Sequence, residues 1–108
     1  MSVDVPIGFR PVPQTNTFET FVGPLYEKWD GEDYICGFRA ATHHGNRRGV
    51  VHDGMLFTFA NHTLGNMVWE RFKDQPCATV TLNVDYLAVA VSGNWIECAG
   101  NITRETRS

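Results

Sequence analysis

A chain of 108 residues has room for one domain around a single core and excludes two domains of ordinary size. Hydrophobic residues make up 43% and charged residues 19%, which excludes a disordered chain, and no apolar run reaches the roughly 20 residues that a membrane-spanning helix needs. The formal net charge is -3, and nine Lys and Arg residues scattered along the chain form no basic stripe for a phosphate backbone, so nucleic acid is not an expected partner.

Residues 1–23 contain Pro6, Pro11 and Pro13, with Pro24 just beyond, and few periodic apolar positions; an irregular arm packed partly on the domain is expected. This start has neither a basic cluster nor a continuous apolar stretch, so it does not read as a signal peptide and a cytoplasmic location is the expectation. Leu25 to Trp29 and Tyr34 to Ala40 are short runs rich in aromatic and branched residues, separated by the turn signal Asp30-Gly31; they predict a β-hairpin. Cys36, Cys77 and Cys98 are odd in number and lack C-x-x-C spacing, so they read as small buried apolar residues rather than disulfide or zinc ligands.

From Asp53 the period changes. Apolar residues at 55, 56, 59, 60, 64, 67, 68 and 72 fall about one helical turn apart, predicting one long helix that ends near Asp74-Gln75-Pro76. Its wide apolar face suggests a helix surrounded by sheet. The stretch "CATVTLNVDYLAVA" then alternates, with Val80, Leu82, Val84 and Tyr86 on one side and Thr79, Thr81, Asn83 and Asp85 on the other. After the Ser92-Gly93-Asn94 turn, "WIECAGNITRETRS" predicts a further strand antiparallel to it. The fold class expected is α+β: a curved antiparallel sheet wrapped around one long central helix.

Chemistry concentrates in "NRRGVVHDGMLFTFAN". A glycine turn leading into a helix presents unpaired backbone N–H groups and a partial positive charge, so Gly49 would allow the turn, His52 would sit at its mouth, and amides near Asp53 and Gly54 would form a possible oxyanion hole. On local chemistry alone an ordinary capped helix start is the simpler account, and a carboxylate such as Asp53 in the first turn fits plain capping. His43 and His44 read as a solvent-exposed pair, because no acidic or cysteine partner has metal-ligand spacing with them. His62 either lines a pocket or faces solvent. Phe57, Met67 and Trp69 are either core residues or the walls of an acyl or aryl pocket. Arg47 and Arg48 either meet phosphates or are solvated.

The stretches "FETFVGPLY", "HHGNRRGVVHDGMLFTFAN" and "TVTLNVDYLAVAVSGNWIECAGNITR" together resemble the hotdog-fold acyl-CoA thioesterases of the phenylacetyl-CoA (PaaI-like) type, over roughly residues 20 to 104. That family's pattern is Asn, three residues to Gly, three more to His, then Gly-Gly, with an Asp or Glu nine residues after the His. Asn46, Gly49, His52 and Gly54 fall on it, whereas Asp53 replaces the first Gly and Asn61 stands where the acid belongs. The resemblance implies a hotdog fold and hydrolysis of a small or aryl acyl-CoA thioester. It assigns Asn46, His52, Asp53 (through its backbone amide), Gly54, Asn61 and Thr79 to the catalytic set and Gly49 to the turn beside the substrate, and Arg47, Arg48 and His62 stand with Gly49 as the substrate-binding candidates.

No metal or cofactor is implied, coenzyme A being part of the substrate. His52 and Asn61 on one helix would lie about 13 Å apart, too far to touch the same atom. The resemblance supplies a homodimer with antiparallel central helices, or a dimer of dimers, in which the two positions meet across the chains. The same resemblance divides the chain into the arm of residues 1–23 and a hotdog domain over 24–108 that is expected to lack its last C-terminal strands. Because Asn61 cannot act as a general base, the alternative is a catalytically inactive acyl-CoA-binding protein serving as a sensor or partner subunit.

Overall fold

The computed structural model describes residues 4–31, 33–71, 78–84 and 90–105, with side-chain surroundings described for 4–31, 33–70 and 90–100. In chain order it contains β1 (Arg10–Pro11), α1 (Phe18–Val22), β2 (Tyr26–Asp30), β3 (Asp33–Arg39), a 3₁₀ turn at Thr42–His44, α2 (Asp53–Arg71), β4 (Ala78–Val84) and β5 (Trp95–Glu105). The hairpin and the long helix lie where the sequence patterns put them, with strand ends shifted by a residue or two. The arm is more ordered than its prolines suggested. Pro11 sits in a two-residue edge strand, where a missing N–H costs nothing, and the segment between Pro13 and Pro24 closes into the short α1.

The sheet is antiparallel, in the order β1-β2-β3-β5-β4. Trp29 faces Tyr34 and Asp30 faces Asp33 across the hairpin, and Gly31 takes φ +64°, the left-handed conformation that closes the turn without a Cβ penalty. β5 runs antiparallel to β4, as the alternating patterns implied, and its other edge pairs with β3 in a register that places Cys36 opposite Cys98. Both thiols are buried and neither forms a disulfide, and burial pushes Cys36 up to about 12, so it remains an unreactive apolar filler. Cys77, the expected helix end at 74–76 and the strand positions 85–89 lie outside the described residues.

α2 lies on one face of this sheet, against β3, β4 and β5. Met55, Phe59, Thr63 and Met67, spaced by four, are buried at 7%, 1%, 0% and 0% exposure, and Phe59 meets Phe38 of β3 edge-to-face at 4.8 Å. Each such apolar side chain contributes about 1.5–3 kcal/mol by leaving water. The sheet packs on one long helix as expected, and on the opposite face of that helix Phe57 is 79% and Trp69 62% exposed among the described residues. A single sheet can cover only one side of a helix. The wide apolar pattern therefore combines a buried face with an uncovered one.

The arm reaches both the sheet and the helix. Phe9 packs edge-to-face on Trp95 at 5.2 Å, Tyr26 tilts against the same indole at 5.8 Å, and the Arg39 guanidinium lies 5.1 Å over it. Further along, the Val12 N–H donates to the Leu25 carbonyl at 2.9 Å, and β1 pairs with β2. These contacts carry the chain to α1, which sits beside α2 and forms one wall of the site.

Candidate active site

The loop from Gly45 to Val51 folds on itself. Asn46 N–H donates to the Val50 carbonyl at 2.7 Å, and the Gly49 N–H donates to the Asn46 carbonyl at 3.1 Å. Asn46 Oδ1 accepts from the Arg48 amide at 2.8 Å and the Val50 amide at 3.3 Å, the self-bonding turn that asparagine side chains favour. Gly49 takes φ +80°, which a side chain would oppose. Arg47 and Arg48 are exposed at the tip of this turn. The Asn46 side-chain Oδ1, the atom expected to orient a substrate, is thus engaged in closing the loop.

The loop delivers His52 to the start of α2. His52 accepts helical hydrogen bonds at its carbonyl from Met55 at 2.9 Å and Leu56 at 3.2 Å, while its ring Nδ1 accepts from the Gly54 amide at 2.7 Å. Histidine therefore plays the part usually taken by Ser, Asp or Asn at a helix N-cap. Two consequences follow for the chemistry. The Gly54 amide is engaged by His52 and is not a free oxyanion donor in this state, and the ring proton sits on Nε2, facing outward. A Cβ on Gly54 would lie 2.9 Å from His52 Nδ1, so the glycine is what lets the ring approach the helix end.

His52 and Gly54 line an open groove of about 380 Å³ with Phe18, Val22, His43 and Thr58. Asp53 is exposed in the first turn and is not among the residues lining it. His43 and His44 differ from the exposed pair expected. His44 is only 3% exposed, its Nδ1 accepting from the Ala41 amide at 3.0 Å and its Nε2–H donating to the Val22 carbonyl. Burial lowers its pKa, and the neighbouring His43 adds to the effect. His43 is exposed and its Nε2 lies 3.1 Å from the Gly23 carbonyl. The imidazole pair fastens α1 to the loop. Among the described residues no group of three or more His, Cys, Asp or Glu side chains could hold a metal ion.

A second, larger groove of about 560 Å³ adjoins the first across Phe18 and Thr58, which line both. Phe57, Ala60 and Leu64 give it apolar walls, and Asn61, His62 and Glu19 bring polar groups to it. Asn61 is exposed on the open face of α2. His62 is buried, with a side chain 1% exposed, and its Nδ1 lies 3.0 Å from Oε2 of the half-exposed Glu19 on α1. The N–H direction misses the carboxylate oxygen, so the contact is a close electrostatic one and leaves Nδ1 without an aligned hydrogen bond.

The other ring nitrogen of His62 is tied to the core. The Asn66 amide nitrogen lies 3.4 Å from His62 Nε2 and 3.3 Å from the Tyr34 hydroxyl, and that hydroxyl donates to the buried Glu27 carboxylate at 2.5 Å. Glu27 in turn pairs with Arg10 at 3.1 Å. Burial raises the Tyr34 pKa, with a smaller contribution from Cys36, so the phenol stays protonated and donating. With the Asn66 amide donating to Nε2, the His62 proton resides on Nδ1, facing Glu19.

The structure thus brings His52 and Gly54 together at one groove, and Asn61 and His62 at its neighbour. It leaves Asn46, Gly49, Arg47 and Arg48 in the loop. Thr79 lies on β4 opposite Arg104, with its side-chain surroundings outside the described residues. Of the apolar candidates, Met67 is core, while Phe57 walls the larger groove and Trp69 is exposed. Sequence reasoning missed Glu19, because no spacing rule links a residue of the arm to the middle of α2.

Comparison with known proteins agrees with this architecture. Residues 48–108 match the Thioesterase superfamily. A Pseudomonas aeruginosa protein carrying the provisional name esterase PA0474 is 33% identical over 97 residues, an alignment covering 88% of this chain and 72% of that one. The crystal structure of zebra fish thioesterase superfamily member 2 superposes with a TM-score of 0.65 at 20% identity, covering 87% of this chain and 69% of that chain, and supports the hotdog fold. The chain belongs to the thioesterase superfamily. No helix among the described residues is long and apolar enough to cross a membrane.

Proposed function

We propose that the protein hydrolyses an acyl-CoA thioester with a small or aryl acyl group, releasing the free acid and coenzyme A, in the manner of a phenylacetyl-CoA (PaaI-like) thioesterase. The observation that carries this reading is the pair of adjoining grooves: a helix start with His52 and Gly54 on one side, and an aromatic-walled space holding Asn61, His62 and Glu19 on the other. Membership of the thioesterase superfamily supports it. Phe18, Phe57 and Leu64 offer an apolar bed for an acyl or aryl group. At the helix start the Asp53 amide and the outward Nε2–H of His52 are the donors that would polarise the thioester carbonyl. Exposed Arg47 and Arg48 are suited to the phosphates of coenzyme A.

The reaction adds water to the carbonyl carbon and breaks the C–S bond, the water proton ending on the departing thiolate. We place the acting unit in a homodimer or a dimer of dimers of cytoplasmic protein, in which the helix start of one chain faces the Asn61 groove of the other. Neither a metal nor a cofactor enters this scheme. Incubation of the purified protein with butyryl-CoA, benzoyl-CoA and a wider acyl-CoA panel, following free thiol, should show release above buffer; none across the panel refutes the reading.

Asn61 gives specific support to a second reading, an acyl-CoA-binding protein without turnover, since an amide cannot take the water's proton. Calorimetry with the same esters separates the two. Binding without thiol release favours the second, and no binding rejects it.

A further inference from the structure

We propose that Glu19 is the general base of this site, supplying from the N-terminal arm the carboxylate that is absent at Asn61, with His62 as the residue that positions it. The inference rests on the thioester-hydrolysis reading and adds to it a residue from outside the helix-start motif. Glu19 and Asn61 line the same groove, so a carboxylate is present although the helix position carries an amide. The Glu19 side chain is 49% exposed, open to water and substrate on one side, with His62 Nδ1 3.0 Å from its Oε2 on the other.

His62 is placed for that task by the core. Its Nε2 is tied through Asn66 and Tyr34 to the buried Glu27 carboxylate, itself paired with the exposed Arg10, and this chain of contacts sets both the ring orientation and the Nδ1–H tautomer. A side chain 1% exposed, with Nδ1 turned to the groove and no aligned partner there, is costly unless a ligand or the moving carboxylate completes it. The same buried ring is the wrong shape for a metal site, having one carboxylate beside it. In the reaction Glu19 takes a proton from water as the oxygen bonds to the thioester carbon, and returns it to the sulfur when the C–S bond breaks, so atoms and charge balance and no further reactant is needed.

The test uses the full chain with butyryl-CoA and benzoyl-CoA as probes for turnover and S-butyl-CoA, a thioether that cannot be hydrolysed, for binding. E19Q keeps the side-chain shape but cannot accept the proton. It is expected to lower kcat by about 10²–10⁴-fold with unchanged melting temperature and unchanged S-butyl-CoA affinity. Formate is expected to raise turnover by E19A and not by wild type, an effect that a merely structural glutamate would not produce. H62Q should lower kcat with KM unchanged, and a change confined to KM overturns the positioning role. An active wild type with E19Q within about threefold of it overturns this inference alone, as does a loss that follows weakened S-butyl-CoA binding. A wild type inactive on both probes overturns the hydrolytic reading and this inference together.

Discussion

His44 illustrates how one side chain couples the arm to the loop. Both ring nitrogens are used, one accepting from the Ala41 amide and the other donating to the Val22 carbonyl, and the ring is 3% exposed. Burial holds its pKa below the ordinary value of 6.5, whereas the unfolded chain protonates near that value. Below about pH 6.5 the unfolded state therefore binds more protons than the native state, and stability falls as pH falls until the lower native pKa is passed. H44Q should cost about 1–3 kcal/mol near pH 7.5 through its lost hydrogen bonds, and the gap between the two proteins should narrow toward pH 5.5. Urea midpoints across that range check it; a gap that stays constant would mean the imidazole titrates alike in both states.

At the scale of elements, the join between β3 and β5 is the most sensitive to size. Gly37 of β3 is buried opposite Glu97, and a Cβ there would come within 2.2 Å of the Trp95 ring. That indole cannot retreat easily, because Phe9 and Tyr26 pack on it and Arg39 lies over it. G37A should destabilise the protein by about 1–3 kcal/mol and alter the tryptophan near-ultraviolet dichroism, both measurable in one thermal scan. Unchanged melting with an unchanged dichroism would show the ring free to move. The hairpin, α2 and the final strand were legible in the chain because their signals are local: a Asp-Gly turn, a helical period and an alternation. Gly37 carried no such signal, since its partner ring belongs to a strand that only the sheet order brings alongside.

For the whole molecule the open face of α2 matters most. Phe57, Asn61, Gly65 and Trp69 recur every four residues along it, and the two aromatics are 79% and 62% exposed. Large aromatics left in water are unfavourable, and the proposed dimer would cover them with the same face of a second copy. Sedimentation at micromolar concentration should give a dimer or tetramer, and W69E should shift it toward monomer and reduce thiol release with it. A wild-type monomer that hydrolyses acyl-CoA at full rate would refute the two-chain arrangement.

Sequence by itself determined the class of fold and the helix-start motif, because periodicity, turn residues and the spacing from Asn46 to Gly54 are properties of neighbours along the chain. Tertiary structure decided what those residues are free to do. Asn46 closes its own loop, His52 caps α2 through Nδ1, and His44 is locked in the interior, all because each polar group found a backbone partner once the chain was compact. Only packing could bring Glu19 from the arm to His62 beside Asn61, since hydrogen bonds and burial act between atoms close in space, however far apart in the chain.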